Sequence, residues 1–175
     1  MFAFEDLGLI DPDGDATLDM LVELAAHRLP VDAAAISLID APRDRFAVRR
    51  AGPAVERGFG WAPAEGAPCT VVMETGRPLA LGGGEPLEAR FALLRRAGFA
   101  AYLGHPILGP AQDPVGAVFA VCRSPRVWSG EERRVLAGLA ELARTRVLLS
   151  AALRTVLELG RERDAAAAGG RPARG

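Results

Sequence analysis

The two cysteines carry the most reactive side chains of the chain, and Cys69 stands at the start of a predicted helix over 69–76. A helix N-terminus favours the thiolate, so we expect a lowered pKa at Cys69 if this thiol senses redox state or attaches a chromophore. The alternative that we favour is a buried thiol that packs the helix under the sheet, because unreactive cysteine is among the most buried residue types. Cys122 ends a predicted core strand, where packing is its expected role.

The placement of histidines and carboxylates predicts neither a metal site nor a catalytic centre. His27 is predicted to face solvent or a dimer edge, and His105 stands in Gly-His-Pro on an apolar segment. For His105 we weigh a haem ligand or a polar contact inside a pocket against a hydrogen-bonded strand histidine, and we favour the last. No cluster of His, Cys, Asp and Glu has metal-ligand spacing, and no nucleophile–base pair stands in register. The sequence therefore predicts a protein that is not an enzyme.

The basic residues restrict the chemistry further, because all 21 are arginine and lysine is absent. A Schiff-base lysine, a Walker-type phosphate site and a protein-kinase site are therefore excluded. The glycine run 82–84 is predicted to be a hinge at a pocket rim, since a P-loop needs lysine and a dinucleotide turn needs a parallel βαβ unit. A formal net charge of -1 argues against nucleic-acid binding, which needs a basic excess.

A set of apolar and aromatic side chains forms the candidate lining of a small-molecule pocket. Two of them lie in the segment 52–68, whose glycines and prolines predict a long loop that acts as a lid. The candidate pocket residues are Phe59, Trp61, Cys69, Phe91, Leu94, Tyr102 and His105. Candidate anion contacts beside them are Arg90, Arg95 and Arg96. A small ligand usually binds in an apolar cavity with a few polar groups, but the same aromatics suit a filled interior, so both interpretations stay open.

The elements that must position these residues alternate between helices and strands. Asp15 or Thr17 can cap a first helix that stops at Pro30. The apolar stripe of this helix comprises Leu18, Leu21, Val22, Ala25 and Leu29. Strands are predicted over 31–40, 45–52, 78–82, 99–108 and 114–122, and a further helix over 83–98. This order predicts an α+β fold with one antiparallel sheet and segregated helices.

The last helix is predicted over 128–164, where Ser129 and Glu132 form a capping box. At 1.5 Å per residue it would be about 50 Å long, which exceeds the body of a domain of this size. A coiled-coil seam runs through Val135, Leu139, Leu142, Arg146, Leu149, Leu153 and Val156. A second stripe runs through Leu136, Ala140, Ala143, Val147 and Leu157. One stripe can cover the sheet, so we expect the seam from Leu139 to Val156 to form a dimer interface.

The 175 residues are predicted to form one domain with tails. Residues 1–14 are an irregular lead-in, residues 15–164 the single domain, and residues 165–175 a disordered tail. The acidic start does not fit a signal peptide, and no segment approaches the roughly 20 apolar residues of a membrane span. We therefore expect a cytoplasmic location and no membrane partner.

Five stretches, in the right order and at the right spacing, resemble GAF domains. They are LDMLVELAAHRLPVDAAAISLID (18–40), PCTVVMETGRPLAL (68–81), FAAYLGHPIL (99–108), PVGAVFAVCRSPRVWSGEE (114–132) and the terminal helix. The resemblance covers about residues 15–150 and is greatest to bacterial GAF modules that precede diguanylate-cyclase, histidine-kinase or phosphatase output domains. It implies a five- or six-stranded antiparallel sheet, with terminal helices packed on one face and loops over a pocket on the other.

The same resemblance implies a non-enzymatic sensory or regulatory module. Such a module binds a small molecule and transduces a signal as a homodimer through its terminal helices, to an output domain or a separate output protein. A ligand-free dimerisation or protein-interaction module is the first alternative. A thiol-based redox enzyme or sensor that uses Cys69 is the second.

The sequence patterns with which relatives bind cofactors and substrates are mostly absent from this chain. Bilin-binding relatives carry Cys-His or a comparable pattern, whereas Thr70 follows Cys69 here, so a bilin is disfavoured. The signature of the cyclic-nucleotide binders contains lysine, so cyclic nucleotides are disfavoured too, and haem has no support beyond His105. The free methionine sulfoxide reductases of this fold use several loop cysteines, a pattern that neither cysteine matches.

Overall fold

The computed structural model describes residue 9 and residues 15–40, 45–83 and 88–169. Four helices and six strands follow one another along these ranges. They are α1 (Ala16–Arg28), β1 (Ala33–Asp40), β2 (Arg45–Ala51), β3 (Gly58–Pro63), α2 (Pro68–Thr75), β4 (Leu79–Leu81), α3 (Ala92–Arg96), β5 (Ala101–Leu108), β6 (Pro114–Cys122) and α4 (Gly130–Gly169).

The six strands form a single antiparallel sheet in the order β3-β2-β1-β6-β5-β4. The first hairpin strand, β1, and the last strand, β6, pair at the centre, with Ile36 opposite Val118. Both are almost entirely buried, as continuous apolar runs predict for strands covered on both faces. The predicted α+β fold with a five- or six-stranded antiparallel sheet is confirmed, with six strands.

The first helix begins and ends as its sequence predicts. The Asp15 side chain accepts a hydrogen bond from the Leu18 backbone N–H at 2.9 Å and so caps α1. The stripe of five apolar residues from Leu18 to Leu29 is buried. Proline at position 30 lies directly after the capping residue Leu29, where it cannot continue the helix.

Two hydrophobic cores lie on opposite faces of the sheet, because alternate strand residues point to opposite sides. The larger core joins the sheet to α1 and α4 and includes Ile36, Leu103 and Leu136. The smaller core lies under α2 and the segment 89–96 and includes Val72 and Tyr102. Both chain ends of the domain therefore cover one face, and the short internal helices cover the other.

The predicted lid over residues 52–68 is wrong, because residues 58–63 form the edge strand β3. This strand pairs with β2, with Phe59 opposite Arg49 and Trp61 opposite Ala47. Glycines alternate with the aromatics in this segment, so that one face of the strand carries all the large side chains. A glycine-rich composition is typical of loops, and it concealed the period-two pattern.

The helix predicted over 83–98 is much shorter in the structure. A 3-10 turn over Ala89–Phe91 leads into α3, which ends at Arg96. Gly98 closes the segment with a positive φ of 78°, a conformation that favours glycine. The predicted stripe residue Leu87 lies outside the described residues.

The last helix keeps its predicted capping box and extends further than predicted. Ser129 Oγ accepts a hydrogen bond from the Glu132 N–H at 3.2 Å, and Glu132 Oε2 accepts one from the Ser129 N–H at 2.8 Å. The helix continues to Gly169, so the disordered tail predicted from residue 165 is wrong up to that point. A run of four alanines, the residue with the highest helix propensity, accounts for the extension. Residues 170–175 and, except for the buried Leu9, residues 1–14 lie outside the described residues.

Candidate functional site

The Cys69 thiol lies buried in the smaller core, in the first turn of α2. Its Sγ is 3.4 Å from the Tyr102 hydroxyl on β5, and Ser37 on β1 also hydrogen-bonds with it. Burial raises the pKa of the Cys69 thiol, and the hydrogen bonds with Ser37 and Tyr102 offset that shift only in part. The expected lowering at the helix N-terminus is therefore wrong. The buried packing thiol, the favoured alternative, matches the observed position.

The Tyr102 ring occupies the space above Gly104 on the same strand. A Cβ at position 104 would overlap this ring, so only glycine permits the arrangement. The ring also stacks on Phe119, with 5.4 Å between centroids and 27° between planes. Burial, followed by the neighbouring Cys69 thiol, raises the pKa of the Tyr102 hydroxyl well above its usual value of 10.0. The hydroxyl is therefore neutral at physiological pH and bound to the thiol.

Four of the predicted pocket residues come together in this core. Phe91 and Leu94 join Cys69 and Tyr102, and no member of the group is more than 6% exposed. Phe46 and Val72, which the sequence did not single out, pack in the same core. These side chains pack together between the sheet and α2.

The other three predicted pocket residues lie on the opposite face of the sheet. Phe59 packs against the larger core, with the Arg49 guanidinium 5.4 Å from its ring centroid. Trp61 is partly exposed and meets Phe59 edge to face at 5.5 Å. His105 lines a groove beside α4 together with Leu136. The sheet thus divides the predicted set into two groups that cannot touch one ligand, and a ligand-binding role for either group stays a prediction.

Three of the remaining predicted polar groups lie at the surface, and the side chain of Arg90 lies outside the described part of the structure. Arg95 and Arg96 are exposed on α3, so anion contact there stays a prediction. His27 is exposed, as predicted, and its Nδ1 is 2.7 Å from the Glu23 carbonyl oxygen of the same helix. Among the residues that the structure describes, no group of three or more His, Cys, Asp or Glu side chains could hold a metal ion.

Two open surface grooves lie on the α1 and α4 side of the sheet. One, of about 400 Å³, runs between α1 and the β2–β3 connection and is bordered by Glu23 and Arg57, whose side chains pair at 2.7 Å. The other, of about 320 Å³, runs between α4 and β5 and is bordered by His105, Arg133 and Arg134. Of the predicted pocket residues, only His105 lines either groove.

Helix α4 buries one of its two predicted stripes against the sheet. Leu136, Ala140, Ala143 and Val147 are all buried, as expected for the stripe that covers the sheet. Leu157, assigned to the same stripe, is exposed, because by that point the helix has left the body of the domain. Between residues 152 and 166 no α4 side chain is buried, so its last 18 residues project by about 27 Å.

The other predicted seam is exposed only in part. Four of its apolar members are 53–66% exposed and form what we call the apolar stripe: Leu142, Leu149, Leu153 and Val156. Leu139 is buried in the larger core, so its predicted place in a dimer interface is wrong. Arg146, the polar member, is engaged within its own chain, where its Nη2 lies 2.9 Å from Asp15 Oδ2.

Of the helices that the structure describes, none is long and apolar enough to cross a membrane.

An arginine that the sequence analysis did not single out joins the sheet to the start of α4. Arg126 donates to the Pro30 carbonyl at 2.6 Å and to the Glu132 carboxylate. Its guanidinium also lies 4.6 Å from the Trp128 ring centroid. Trp128 in turn donates from Nε1 to the Leu81 carbonyl of β4 at 3.0 Å. The start of α4 is therefore tied to the segment before β1 and to the end of β4.

The Glu132 carboxylate is the charged centre of this junction. Burial opposes its ionisation, but hydrogen bonds from Ser129 and the charge of Arg126 outweigh burial and lower the pKa of Glu132 below 4.5. The capping box alone could be read from the sequence. The partner arginine, six residues earlier, carried no recognisable spacing signal.

The family of GAF domains matches residues 13–147. The GAF domain of a phosphoenolpyruvate-protein phosphotransferase from Acinetobacter has a similar fold, with a TM-score of 0.62 and 17% identity over 86% of this chain and 96% of that one. The cyanobacteriochrome receptor PixJ is similar with a TM-score of 0.61 and 18% identity, over 83% of this chain and 97% of that one.

One similar structure is that of an enzyme. The free methionine-R-sulfoxide reductase from Neisseria meningitidis, in complex with its substrate, matches with a TM-score of 0.57 and 15% identity, over 83% of this chain and 85% of that one. At such identities the likeness shows the fold alone. No curated protein matches the chain in sequence.

Proposed function

This chain belongs to the GAF domain family, and from that premise we propose that it is a regulatory module that pairs with a second copy of itself through α4. The observation that carries the proposal is the apolar stripe on a helix that projects beyond the domain. Pairing passes the state of the domain along the projecting helix to an output domain or a separate output protein.

The spacing of exposed residues supports helix–helix pairing. Leu142, Leu149 and Val156 recur every seven residues, and Thr145 and Ala152 lie between them on the same exposed face. This alternation of three and four residues is the pattern by which two helices pack knobs into holes. Small side chains at two of the positions allow the helices to approach closely. The expected interface is therefore rotated from the predicted seam, since Leu139 and Arg146 are used within the chain.

Exposure of the apolar stripe to water costs free energy in a single chain. Side chains of Leu and Val contribute roughly 1.5–3 kcal/mol each when fully buried, and the four members of the apolar stripe are more than half exposed. A symmetric pair buries eight such side chains at once. A second copy is the occupant that this repeat suits, because a seven-residue repeat matches an identical repeat in register.

A small-molecule sensor has less support from the structure. A ligand under α2 would have to displace Tyr102 or Phe91, both of which are buried and well packed. For the thiol enzyme the position of Cys69 offers no support, because its thiol is covered and its pKa is raised rather than lowered. We assign no catalytic residue.

Charged substitutions on the apolar stripe test the proposal. Leu149→Glu combined with Leu153→Glu should convert the dimer to a monomer, measured by size-exclusion chromatography with light scattering. Val127→Glu is the matched control, because Val127 is 77% exposed but lies outside α4. A double variant that stays as dimeric as the control, with a circular dichroism spectrum like that of the wild type, would refute pairing through the stripe.

A further inference from the structure

We infer that Asp15 permits the pairing of α4 by holding the charge of Arg146 away from the apolar stripe. This inference rests on the proposed function, since it concerns the regulation of the same interface. It assigns to the N-cap of α1 a second role, which is to control whether α4 can pair.

Asp15 serves two partners with its two carboxylate oxygens. Oδ1 accepts the hydrogen bond from the Leu18 N–H at 2.9 Å, and Oδ2 lies 2.9 Å from Nη2 of Arg146. The Asp15 side chain is only 2% exposed, whereas that of Arg146 is 25% exposed. The carboxylate is therefore fixed by α1, and the arginine reaches across from α4 to meet it.

Arg146 lies at the border of the apolar stripe. It follows Leu142 by four residues and precedes Leu149 by three, so it belongs to the same helical seam by spacing. Its side chain turns instead toward α1 and also donates to Ser150 Oγ on the next turn of α4. The positive charge is thus neutralised beside the larger core and is kept out of the stripe.

Without Asp15 the guanidinium would return to solvent at the rim of the stripe. In a parallel symmetric pair the two copies of residue 146 lie at the same level, because identical residues face each other across the axis. Two unpaired arginines would then place like charges at the edge of an otherwise apolar interface, where charge weakens association. An arginine that is neutralised in its own chain has no such effect.

The ion pair also makes pairing sensitive to the position of α1. This helix packs on both the sheet and α4, so a shift of α1 along α4 would separate Asp15 from Arg146. A stimulus that moves α1 would then weaken the dimer without touching the stripe. We call this ion pair of Asp15 and Arg146, which joins the first and last helices of the domain, the charge latch.

The test removes the charge of Asp15 and keeps its cap. Asparagine is as good an N-cap as aspartate, so Asp15→Asn should leave α1 intact while freeing Arg146. We expect the dimer dissociation constant, measured by sedimentation equilibrium, to rise at least about fivefold. Adding Arg146→Gln to the same chain should restore the wild-type constant. Glu23→Gln, which breaks the α1 ion pair with Arg57, should leave it unchanged.

Each result decides for or against the latch. A rise below fivefold for Asp15→Asn overturns it, and so does a double variant that fails to recover, since a cap or folding defect would not be cured at position 146. If the asparagine variant does not fold, Asp15→Ser provides the same comparison with another capping residue. A wild-type chain that stays monomeric would overturn the proposed function first, which the wild-type measurement alone reveals.

Discussion

Cys69 shows how strongly the surroundings of a single residue change its chemistry. Its position in the first turn of α2 favours a reactive thiolate, but the thiol is covered by the sheet and hydrogen-bonds with Tyr102. Desolvation has the largest effect on the pKa of Cys69, because burial removes the water that would stabilise the thiolate. The sequence position of Cys69 is compatible with a reactive thiol or a buried one, because the depth at which α2 packs on the sheet decides whether the thiol is exposed.

We predict that Cys69 resists thiol reagents in the native protein. Its raised pKa leaves less thiolate than an ordinary thiol at every pH, so labelling should accelerate only at more alkaline pH or after unfolding. Mass spectrometry of the labelled protein assigns the site, and Val127→Cys supplies an exposed thiol for comparison. Labelling of native Cys69 at the rate of that exposed thiol would contradict the structure.

Tyr102 should matter for its ring more than for its hydroxyl. Tyr102→Phe removes one hydrogen bond with a thiol and should lower the free energy of unfolding by about 1 kcal/mol or less. Tyr102→Ala empties the space above Gly104 and should lower it by about 3–5 kcal/mol. Chemical denaturation of both variants measures the difference. Equal losses would mean that the ring does not fill this space.

At the scale of the elements, the junction before α4 joins three parts of the fold in a few residues. Arg126 connects Pro30, Trp128 and Glu132, and the last of these caps the helix that is expected to carry the signal. The orientation of α4 on the sheet is therefore set at its first turn.

The lowered pKa of Glu132 predicts a loss of stability in acid. A carboxyl with a depressed folded-state pKa contributes stability above its unfolded value and loses it as the pH falls through the folded value. The free energy of unfolding should thus fall below about pH 5 in the wild type and fall less steeply in Glu132→Gln. Glu131→Gln, an exposed neighbour in the same turn, should keep the wild-type slope. Identical acid slopes for the wild type and Glu132→Gln would contradict this role.

Most elements could be predicted from the sequence because each has a strong local signal. The stripe from Leu18, the capping box at Ser129 and the apolar run of β6 each identify their element without knowledge of the rest. The strand β3 could not be identified in this way, because Gly58 and Gly60 hide the alternation of its aromatics. The seven candidate pocket residues do not form one group for a related reason: which face of the sheet Phe59 or His105 occupies depends on strand register, which composition does not specify.

The exposed positions on α4 could be predicted only in part, and the interface itself stays a proposal. The seven-residue repeat gave the apolar stripe from Leu142 to Val156 correctly as exposed positions. The inward positions of Leu139 and Arg146 depend on contacts with the core and with Asp15, which lies 131 residues away in sequence. Long-range pairs of this kind leave no mark on a single sequence.

At the scale of the whole molecule, the domain has a well-buried core on each face of the sheet and an incompletely covered last helix. Its body buries two cores on the two faces of one sheet, and α4 extends beyond both. A molecule with this distribution of apolar surface is better suited to association than to enclosing a ligand. We therefore propose that the chain functions as a pair.

The mass of the wild-type chain in solution tests that claim most directly. Sedimentation equilibrium over a dilution series should give twice the chain mass of 18.4 kDa at high concentration, falling toward a single chain on dilution. The variant with Leu149→Glu and Leu153→Glu should give the mass of one chain throughout. A wild-type protein that sediments as a single chain at every concentration, or a charged variant that still sediments as a pair, would contradict pairing through α4.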